Sequence, residues 1–466
     1  MTQIDAALDP AQLTALRAIK WPADSHPLPS MQEMLSAVPT LDAMADVPAG
    51  TPVLLRGDLD VPLAEGEVTD DVRLRSMLPT IEFGLQRGWR WILIGHTGRD
   101  PDRSLAPVGK CLERLCETTV SFVPEWFDES TVSVEPQAQQ TAAQQADGSL
   151  ILLENARKYE IERALWSVTA EEFASMGPKL IASAHAVRDS LSHYLVNEAL
   201  SASNLDFSSC VLPLAMSGVA FGRYTRAELS LALEELSKVD CVVFSGVKAN
   251  KLDDLEDIVA TRPLQLILVG GALAMALRKA QAELSGEAFT YGAPEREAEH
   301  VTHMPVERIA QGKRILEHCS ENNVEVLLPV DYRLDDESVS REIPSDRRQL
   351  DIGPETIERF TQALHSAAAS GSVKTAYLNG SVGVFEDPRF AAGTKGVVDA
   401  FCSLTSNGVR TFVGGGDAHV SLMQFASESD ITHAFTAGGT ILKVMKSSPI
   451  GYIASSYFAS LAHGRE

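Results

Sequence analysis

The 466-residue sequence has few cysteines, and they form no recognisable motif. Its six cysteines are spread along the chain with neither a CxxC pair nor the spacing of a zinc site. This pattern favours reduced thiols over a disulfide framework. The longest apolar stretch, residues 266–277, is shorter than the roughly 20 residues of a membrane span. The first residues lack the basic and apolar regions of a secretory signal, so we expect a cytoplasmic protein.

Positive charge is also scarce. The chain has 40 lysines and arginines against 63 aspartates and glutamates, a formal net charge of −23. Such an acidic protein repels nucleic acids and anionic lipid surfaces, so we expect neither as a partner. A single cleft can still be basic. The length predicts two or three domains, and a hydrophobic fraction of 45% allows each a buried core.

Two common nucleotide-binding motifs are missing, since the chain contains neither GxxxxGK[ST] nor GxGxxG. Short apolar runs alternate with helical patterns instead. This alternation predicts an α/β protein with two doubly wound, parallel-sheet (Rossmann-like) lobes. The predicted strands lie at residues 53–55, 91–95, 150–153, 180–184, 241–244, 266–269, 324–330, 375–378 and 411–413.

The same alternation divides the chain. We expect an N-terminal extension over residues 1–40, a first lobe over 41–215 and a second lobe over 216–445. Residues 446–466 are expected to pack back on the first lobe. The segment 226–237 is rich in alanine, leucine and glutamate, and we expect it to be a helix that joins the lobes as a hinge.

Basic residues follow the predicted strands of the first lobe. Ligands of open parallel sheets bind beyond the carboxyl ends of the strands. One arginine in such a place is usually a solvated surface residue, but the fold brings several strand ends together. Convergent guanidinium groups predict a site for a phosphate or a carboxylate. The residues concerned are Arg56, Arg73, His96, Arg99 and Arg157.

Glycines follow the strands of the second lobe. A single glycine pair is more often only a tight turn. Three such turns, together with Lys248 and Lys251, favour a site for nucleotide phosphates, because glycines let backbone N–H groups approach an anion. The turns contain Gly270–Gly271, residues 414–416 and residues 438–439. One lobe would therefore hold a small anion and the other a nucleotide.

A dozen motifs in this order resemble the phosphoglycerate kinase family, from about residue 40 to the C-terminal region. The first-lobe motifs are VLLRGDLDVPL, TDDVRLRSMLPTIEFGLQRG, IGHTGR, SLAPVGKCLERL and LLENAR. The second-lobe motifs are GVKANKL, LVGGALA, VLLPVDY, LDIGPETI, LNGSVGVFEDPRFAAGTK, VGGGDA and TAGGT.

The resemblance implies roles for individual residues. The residues implied to bind 3-phosphoglycerate are Arg56, Asp58, Asp60, Arg73, His96, Arg99, Arg157 and Arg188. Those implied to bind the nucleotide are Lys248, Lys251, Gly270, Gly353, Asn379, Glu386, Gly415, Gly416 and Asp417. Among these, Arg73, Lys248 and Gly416 would act on the transferring phosphoryl group, and Asp417 would hold Mg²⁺. The resemblance further implies ATP or ADP with Mg²⁺, a monomer, and lobes that close about a hinge.

Several residues depart from the family pattern. Asp60 stands in place of an asparagine, Ser381 in place of a proline, and Ala418 in place of a hydroxyl residue. Ala437 interrupts the last triple glycine, and the lysine pair is one residue closer than in the family. Asp60 places a second carboxylate beside Asp58, and the other changes are small losses around the phosphate loops.

The largest departure concerns the family's GTAHRAH segment. An ungapped match places Asp189 and Ser190 at the histidine and the arginine. A gapped match places His185 at the histidine and leaves Ala186 for the arginine, with Arg188 as a neighbouring substitute. An isolated histidine such as His185 is more often packed in the core or exposed on the surface than a ligand-binding residue.

Three hypotheses follow. The first is a phosphoglycerate kinase, which transfers a phosphoryl group reversibly between Mg-ATP and the carboxylate of 3-phosphoglycerate. The second is a kinase of the same fold for another small acid. The third is a non-catalytic homologue that binds nucleotides.

Overall fold

The computed structural model describes residues 9–22, 28–297 and 299–463. Its strands and helices alternate over most of the chain. Within the described residues, no helix has the length and apolar character needed to cross a membrane.

Most strands are short and belong to two parallel sheets. The strands are β1 (Pro52–Arg56), β2 (Leu63–Ala64), β3 (Glu67–Val68), β4 (Arg90–Ile94), β5 (Val120–Val123), β6 (Phe127–Asp128), β7 (Ser133–Val134), β8 (Leu150–Leu153), β9 (Tyr194–Asn197), β10 (Gly218–Phe221), β11 (Cys241–Gly246), β12 (Leu266–Gly271), β13 (Glu325–Leu327), β14 (Tyr332–Leu334), β15 (Val339–Ser340), β16 (Gln349–Ile352), β17 (Thr375–Asn379), β18 (Arg410–Gly414) and β19 (His433–Phe435).

The helices fill the connections between strands and both ends of the described chain. They are α1 (Pro10–Lys20), α2 (Met31–Ala37), α3 (Val72–Leu85), α4 (Ala106–Cys116), α5 (Pro136–Gln144), α6 (Glu160–Ser167), α7 (Phe173–Ser190), α8 (Phe207–Cys210), α9 (Leu212–Ala215), α10 (Arg223–Glu235), α11 (Lys251–Thr261), α12 (Leu273–Ser285), α13 (Val306–Glu321), α14 (Pro354–Ser370), α15 (Ala392–Ser406), α16 (Gly416–Phe425), α17 (Gly438–Met445) and α18 (Gly451–His463).

The chain divides into two compact units. The first consists of Met1–Leu231 and Pro449–Glu466, and the second of Ala232–Ser448. The first unit contains a six-stranded sheet in the order β10-β9-β1-β4-β8-β5, and all its strands are parallel. Its core is apolar: β1 contributes Val53 and Leu55, and α3 contributes Leu74, Met77 and Ile81.

The second unit contains a six-stranded sheet in the order β13-β12-β11-β17-β18-β19, again with every strand parallel. A separate antiparallel sheet of β14, β15 and β16 lies in the same unit. The prediction of two parallel α/β sheets with helical crossovers is therefore confirmed. In both sheets, residues that follow the strands meet at one edge, which sets the place of any ligand.

One predicted strand is wrong. Residues 180–184 lie inside helix α7, whose buried residues include Leu180, Ile181, Ala184 and Val187. These positions recur at helical spacing on the buried face of α7. A short apolar run such as residues 180–184 does not by itself distinguish a strand from a buried helix. The strand of that region is β9, and it begins only at Tyr194.

The observed division differs from the predicted domain boundaries. A boundary between residues 215 and 216 would separate β10 from β9, with which it pairs in parallel. The described part of the predicted extension is packed into the first unit, where α1 contacts α7 and α18, and α2 contacts α18. Helix α18 belongs to the same unit and also contacts α8 and α9.

A buried carboxyl group fastens the start of α10 to the first sheet. Glu198 directly follows β9, and its Oε1 accepts hydrogen bonds from Thr80 Oγ1 (2.6 Å) and from the Tyr224 backbone N–H (3.1 Å). Its Oε2 accepts the Thr225 backbone N–H (2.9 Å). Burial raises the pKa of Glu198 to about 7, although these hydrogen bonds oppose the shift. The first-turn N–H groups of α10 thus obtain partners that the helix cannot supply.

This burial predicts a pH-dependent stability. Between the ordinary pKa of 4.5 and about 7, folded Glu198 keeps a proton that the unfolded chain releases. The free energy of unfolding should therefore fall as the pH rises through this window, and Glu198→Gln should make the fall smaller. Glu162 and Asp351, whose pKa values burial raises to about 7, add to the wild-type slope.

The measurement is denaturant unfolding at about pH 5 and about pH 8, with the exposed Glu234→Gln on α10 as the control. An unchanged slope in Glu198→Gln would contradict the assignment.

Candidate functional site

The first unit gathers basic side chains at the carboxyl ends of β1, β4 and β8. Arg56 ends β1, His96 follows β4, and Arg157 follows β8. All three side chains are buried. The predicted convergence of basic residues at this edge is therefore present in the structure.

Arg56 is only 1% exposed, and its donors are used within the protein. Its Nε donates to Ser208 Oγ (2.7 Å) and its Nη1 to the Gly57 carbonyl (2.6 Å). Its Nη2 lies 3.4 Å from Asp206 Oδ2 and 4.0 Å from Glu162 Oε1. Two buried carboxyl groups thus face one guanidinium.

His96 adjoins Arg56. The distance from Arg56 Nη2 to His96 Nδ1 is 2.8 Å, and a guanidinium can only donate, so Nδ1 accepts and the ring proton lies on Nε2. Burial holds the pKa of His96 well below its ordinary value, and Arg56, Arg157 and Arg73 add to the shift. His96 is therefore a neutral donor through Nε2, which has no hydrogen-bond partner in the described part of the chain.

Asp58 and Asp60 are held by different partners. Asp58 accepts the Ser201 hydroxyl (2.7 Å) and the Ser201 backbone N–H (3.1 Å), while Asp60 Oδ1 accepts the Gly98 N–H (2.7 Å). Arg73 Nη1 donates to the Asp60 carbonyl (2.7 Å) and lies 3.7 Å from Asp58 Oδ1. Arg73 is only partly buried, so most of its donors stay available.

Arg157 and Arg99 complete the basic group. Arg157 Nη1 donates to the Gly98 carbonyl (2.5 Å), whereas its buried Nε has no partner among the described residues. The Arg157 guanidinium lies 5.1 Å from the centroid of the Trp166 ring, within cation–π range. Arg99 is exposed, and the described chain offers it no hydrogen bond or ion pair.

Several residues of this site were missed by the sequence analysis. They are Glu162 and Trp166 on α6, and Ser201, Asp206 and Ser208, which follow β9. Burial raises the pKa of Glu162 to about 7 and also raises that of Asp206. The charge of Asp206 adds to the shift of Glu162, and Arg56 opposes both shifts. The run YLV before Asn197 was the available signal, since it marks β9 and its strand end.

The structure does not bring Arg188 to the other arginines. Arg188 lies in the last turn of α7, where it contacts Asp189 (2.7 Å) and the Ala215 carbonyl (3.2 Å). The chain then reaches Ser192, which donates to the carbonyl of Pro52 at the start of β1. Arg188, Asp189 and His185 are thus on the amino-end side of the sheet. The expected matches of Asp189 and Ser190, or of His185, to the family segment are wrong, because these residues lie in helix α7 and not after a strand.

The loop after β9 occupies the strand end instead. Residues 198–207 follow β9 directly and contain no lysine, arginine or histidine. They bring Ser201 to Asp58 and Asp206 to Arg56. The β9 side of the site is therefore polar and acidic, whereas the β1, β4 and β8 side is basic.

The second unit builds its site around Lys251 and Asn379. Lys251 Nζ donates to the Ser245 carbonyl (3.1 Å) and to Asn379 Oδ1 (3.0 Å), and Asn379 Nδ2 donates to the Gly414 carbonyl (2.7 Å). Burial lowers the pKa of Lys251, and the nearby Asp417 opposes the shift. These contacts join the ends of β11, β17 and β18.

The glycine turns lie at the same edge. Gly415 has a φ of 102°, and a Cβ there would lie 3.0 Å from Asn379 Nδ2. A Cβ on Gly438 would lie 2.6 Å from the Gly415 Cα, so these two turns require glycine. Gly416 begins α16, and nothing lies within 4 Å of the place of its Cβ. Asp417 is exposed in the first turn of that helix.

The remaining predicted residues of the second unit have mixed positions. Gly270 packs closely on Val382, and Gly353 packs on the carboxyl group of Asp331. Lys248 and Glu386 are exposed. Close packing leaves no space for a side chain at Gly270 or Gly353. Lys248 and Glu386, by contrast, are accessible to a ligand.

A pocket lies beside the end of β12. Apolar side chains of Ala272, Met275, Tyr291 and Leu350 form part of its wall, and His300 and Gln349 add polar groups. Thr302 N–H donates to His300 Nδ1 (3.2 Å), so a neutral His300 carries its proton on Nε2. The pocket can bury a flat, mostly apolar group with a few hydrogen bonds.

The sequence model of the phosphoglycerate kinase family matches residues 44–448. The chain belongs to this family. Phosphoglycerate kinases from Prosthecochloris aestuarii and Pelodictyon phaeoclathratiforme are 29% and 30% identical to it, each over 87% of this chain and 96% of the relative.

Solved phosphoglycerate kinase structures share the fold. The enzyme from Coxiella burnetii superposes with a TM-score of 0.67 at 24% identity, and that from Pyrococcus horikoshii with 0.70 at 20% identity. Each comparison covers 89% of this chain and 98% of the other. Residues 9–22 and 28–43, by contrast, lie before the part that matches the family model.

The buried Asn379 gives a test of the second site. Asn379→Leu removes the partner of the Gly414 carbonyl and one acceptor of Lys251, so the free energy of unfolding should fall by about 1–3 kcal/mol. Asn407→Leu is the matched control, because Asn407 is exposed at the end of α15. Denaturant unfolding measures both, and equal effects of the two substitutions would disprove the special role of Asn379.

Proposed function

We propose that this chain catalyses reversible phosphoryl transfer between a Mg²⁺-bound nucleotide and the carboxylate of 3-phosphoglycerate. The observation that carries the proposal is the group of Arg73, Arg99, Arg157 and neutral His96 at the carboxyl edge of the first sheet. The family membership supports the same reaction. The expected monomer and the expected hinge closure stay predictions within this proposal.

The first unit would hold the acid. Arg73, Arg99 and Arg157 each keep guanidinium donors for anionic oxygens, and His96 supplies an N–H without adding charge. Arg56 supports this site from beneath, since its own donors are used. No general base is needed, because a carboxylate is already ionised near pH 7. The site therefore acts by positioning the acid and neutralising its oxygens.

The second unit would hold the nucleotide. Lys248 and Lys251 reach toward the phosphates, and the glycine turns at residues 414–416 and 438–439 offer backbone N–H groups. Gly270, near the end of β12, and Gly353, directly after β16, would contribute backbone contacts. The exposed Glu386 suits ribose hydroxyls. The pocket beside β12 suits the base, whose flat ring Tyr291 and Leu350 would cover.

Magnesium fits this arrangement through Asp417. The described residues contain no group of three or more histidine, cysteine, aspartate or glutamate side chains able to hold a metal. Mg²⁺ is commonly bound by one or two carboxylates together with substrate phosphates and water. Asp417 is exposed and next to the glycine turn, so it can supply that carboxylate. When bound, the ion would neutralise phosphate charge during transfer.

A kinase for another small acid is the second candidate. It is favoured by the loop after β9, which faces the site with Asp206 and Ser201 and contains no basic residue. A non-catalytic nucleotide-binding protein is favoured only by Ala418 and Ser381, which remove small contacts. Turnover of another acid alone would support the second candidate, and nucleotide binding without turnover would support the third.

Arg73 provides the decisive test. In an assay coupled to glyceraldehyde-phosphate dehydrogenase, with Mg-ATP and 3-phosphoglycerate, Arg73→Ala should lower the rate about 10³-fold or more. Arg75→Ala is the matched control on the same helix, because Arg75 is exposed and, among the described residues, pairs only with Asp71. It should stay near wild-type activity. No wild-type turnover, with Mg-ATP binding intact, would refute the proposed reaction.

Asp417 provides a separate test of the metal. Asp417→Asn should weaken Mg-ATP binding about 10- to 200-fold, the cost of one lost charged contact. Binding of ATP without Mg²⁺ should change little. The control is Asp399→Asn, an exposed aspartate that pairs with Lys395 on α15. Isothermal calorimetry measures the six affinities, those of the wild type and both variants with and without Mg²⁺. Equal losses with and without the metal would argue against Asp417 as its ligand.

A further inference from the structure

Helix α6 contributes two side chains to the arginine site. Glu162 Oε2 accepts the Ser208 backbone N–H (3.0 Å), and its Oε1 accepts the Ser208 hydroxyl (2.5 Å) that also binds Arg56. Trp166 Nε1 donates to Asp206 Oδ1 (3.0 Å), and its ring lies over Arg157. The position of α6 therefore controls three charged groups at once: Arg56, Arg157 and Asp206.

The last turn of this helix has no donors of its own for its carbonyls. The helix spans only eight residues, Glu160–Ser167, and its first turn is held by Glu129, whose Oε1 accepts the Ile161 N–H (2.8 Å). Its last turn contains no basic residue, although the final carbonyls of a helix need donors and favour a positive charge. Trp166 lies in that turn and is 41% exposed, which is unusual for so large an apolar side chain. The last turn of α6 thus depends on partners from elsewhere.

Lys20 supplies the missing donors. Its ammonium group donates to the carbonyls of Leu165 (2.6 Å) and Trp166 (3.2 Å), which are two of the last carbonyls of α6. Partial burial lowers the pKa of Lys20. The contact therefore combines charge and hydrogen bonding at the turn that holds Trp166.

Helix α1, which carries Lys20, is itself fixed. Leu16 and Ile19 are buried, and Gln12 Nε2 donates to the Leu214 carbonyl (2.8 Å). Trp21 packs edge-on against Phe173 at a centroid distance of 5.3 Å. Because α1 is fixed by its own packing, the position of Lys20 does not depend on α6. The ammonium group can therefore stabilise the last turn of α6.

We propose that Lys20, from the segment that precedes the family match, is a positioning residue of the acid site that acts through the last turn of α6. It keeps Trp166 over Arg157 and against Asp206, and so keeps the Arg157 guanidinium turned for an anion. The effect of Lys20 on KM for 3-phosphoglycerate rests on the proposed reaction. Its support of the last turn of α6 does not.

The kinetic test uses the full-length chain. Lys20→Met keeps most of the apolar stem and removes the donors, so KM for 3-phosphoglycerate should rise about three- to tenfold. KM for Mg-ATP should stay unchanged, since the nucleotide residues lie in the other unit. Lys20→Arg retains a charged donor, so its KM for 3-phosphoglycerate should stay close to that of the wild type. Arg17→Met is the matched control, because Arg17 is an exposed basic residue on the same helix.

A second measurement needs no turnover. Acrylamide quenching of tryptophan fluorescence should increase in Lys20→Met and not in Arg17→Met, and the increase should vanish in a Lys20→Met/Trp166→Phe double variant. If the wild type does not use 3-phosphoglycerate, this result still tests the support of α6. The inference is overturned if quenching is unchanged, or if Lys20→Met raises both KM values equally.

Discussion

The site of the first unit depends on one buried guanidinium. Arg56 lies at the end of the central strand β1, and it connects Ser208, Asp206 and His96 across the carboxyl edge of the sheet. Burying this charge is costly unless carboxylates accompany it, and removing one partner of such a pair costs about 3–5 kcal/mol. Asp206 and Glu162 meet that requirement. Burial raises the pKa of both carboxyl groups, and the nearby Arg56 opposes both shifts.

The contacts of Arg56 determine which basic groups remain available to a ligand. Because Arg56 donates to His96 Nδ1, the imidazole is neutral and offers Nε2–H. Because Arg56 is itself neutralised, the positive charge available to a ligand comes from Arg73, Arg99 and Arg157. The acidic loop after β9 lowers the potential on one side of the site. A phosphorylated acid would therefore be held mainly from the β4 and β8 side.

The sequence predicted the architecture and much of the site, for reasons that the structure makes clear. Alternating apolar runs predict both parallel sheets. The residues after the predicted strands include the basic residues Arg56, His96 and Arg157. The prediction failed where an apolar run lay on a helix face: residues 180–184 belong to α7, so β9 was missed together with Ser201 and Asp206. Nor could the sequence show that Arg56 is buried, because burial depends on Glu162 and Asp206, which are distant from it in the chain.

Under the proposed function, the two units bind anions in opposite ways. The first uses guanidinium groups, which need buried carboxyl groups and an outer helix to keep their orientation. The second uses backbone turns, in which glycine does the work: Gly415 has a positive φ, and Gly438 touches it where a side chain would clash. A backbone site would lose little when one side chain changes, so Ser381, Ala418 and Ala437 should weaken it only slightly. A side-chain site responds to each change, so any altered acid specificity should arise on the β9 side of the first unit.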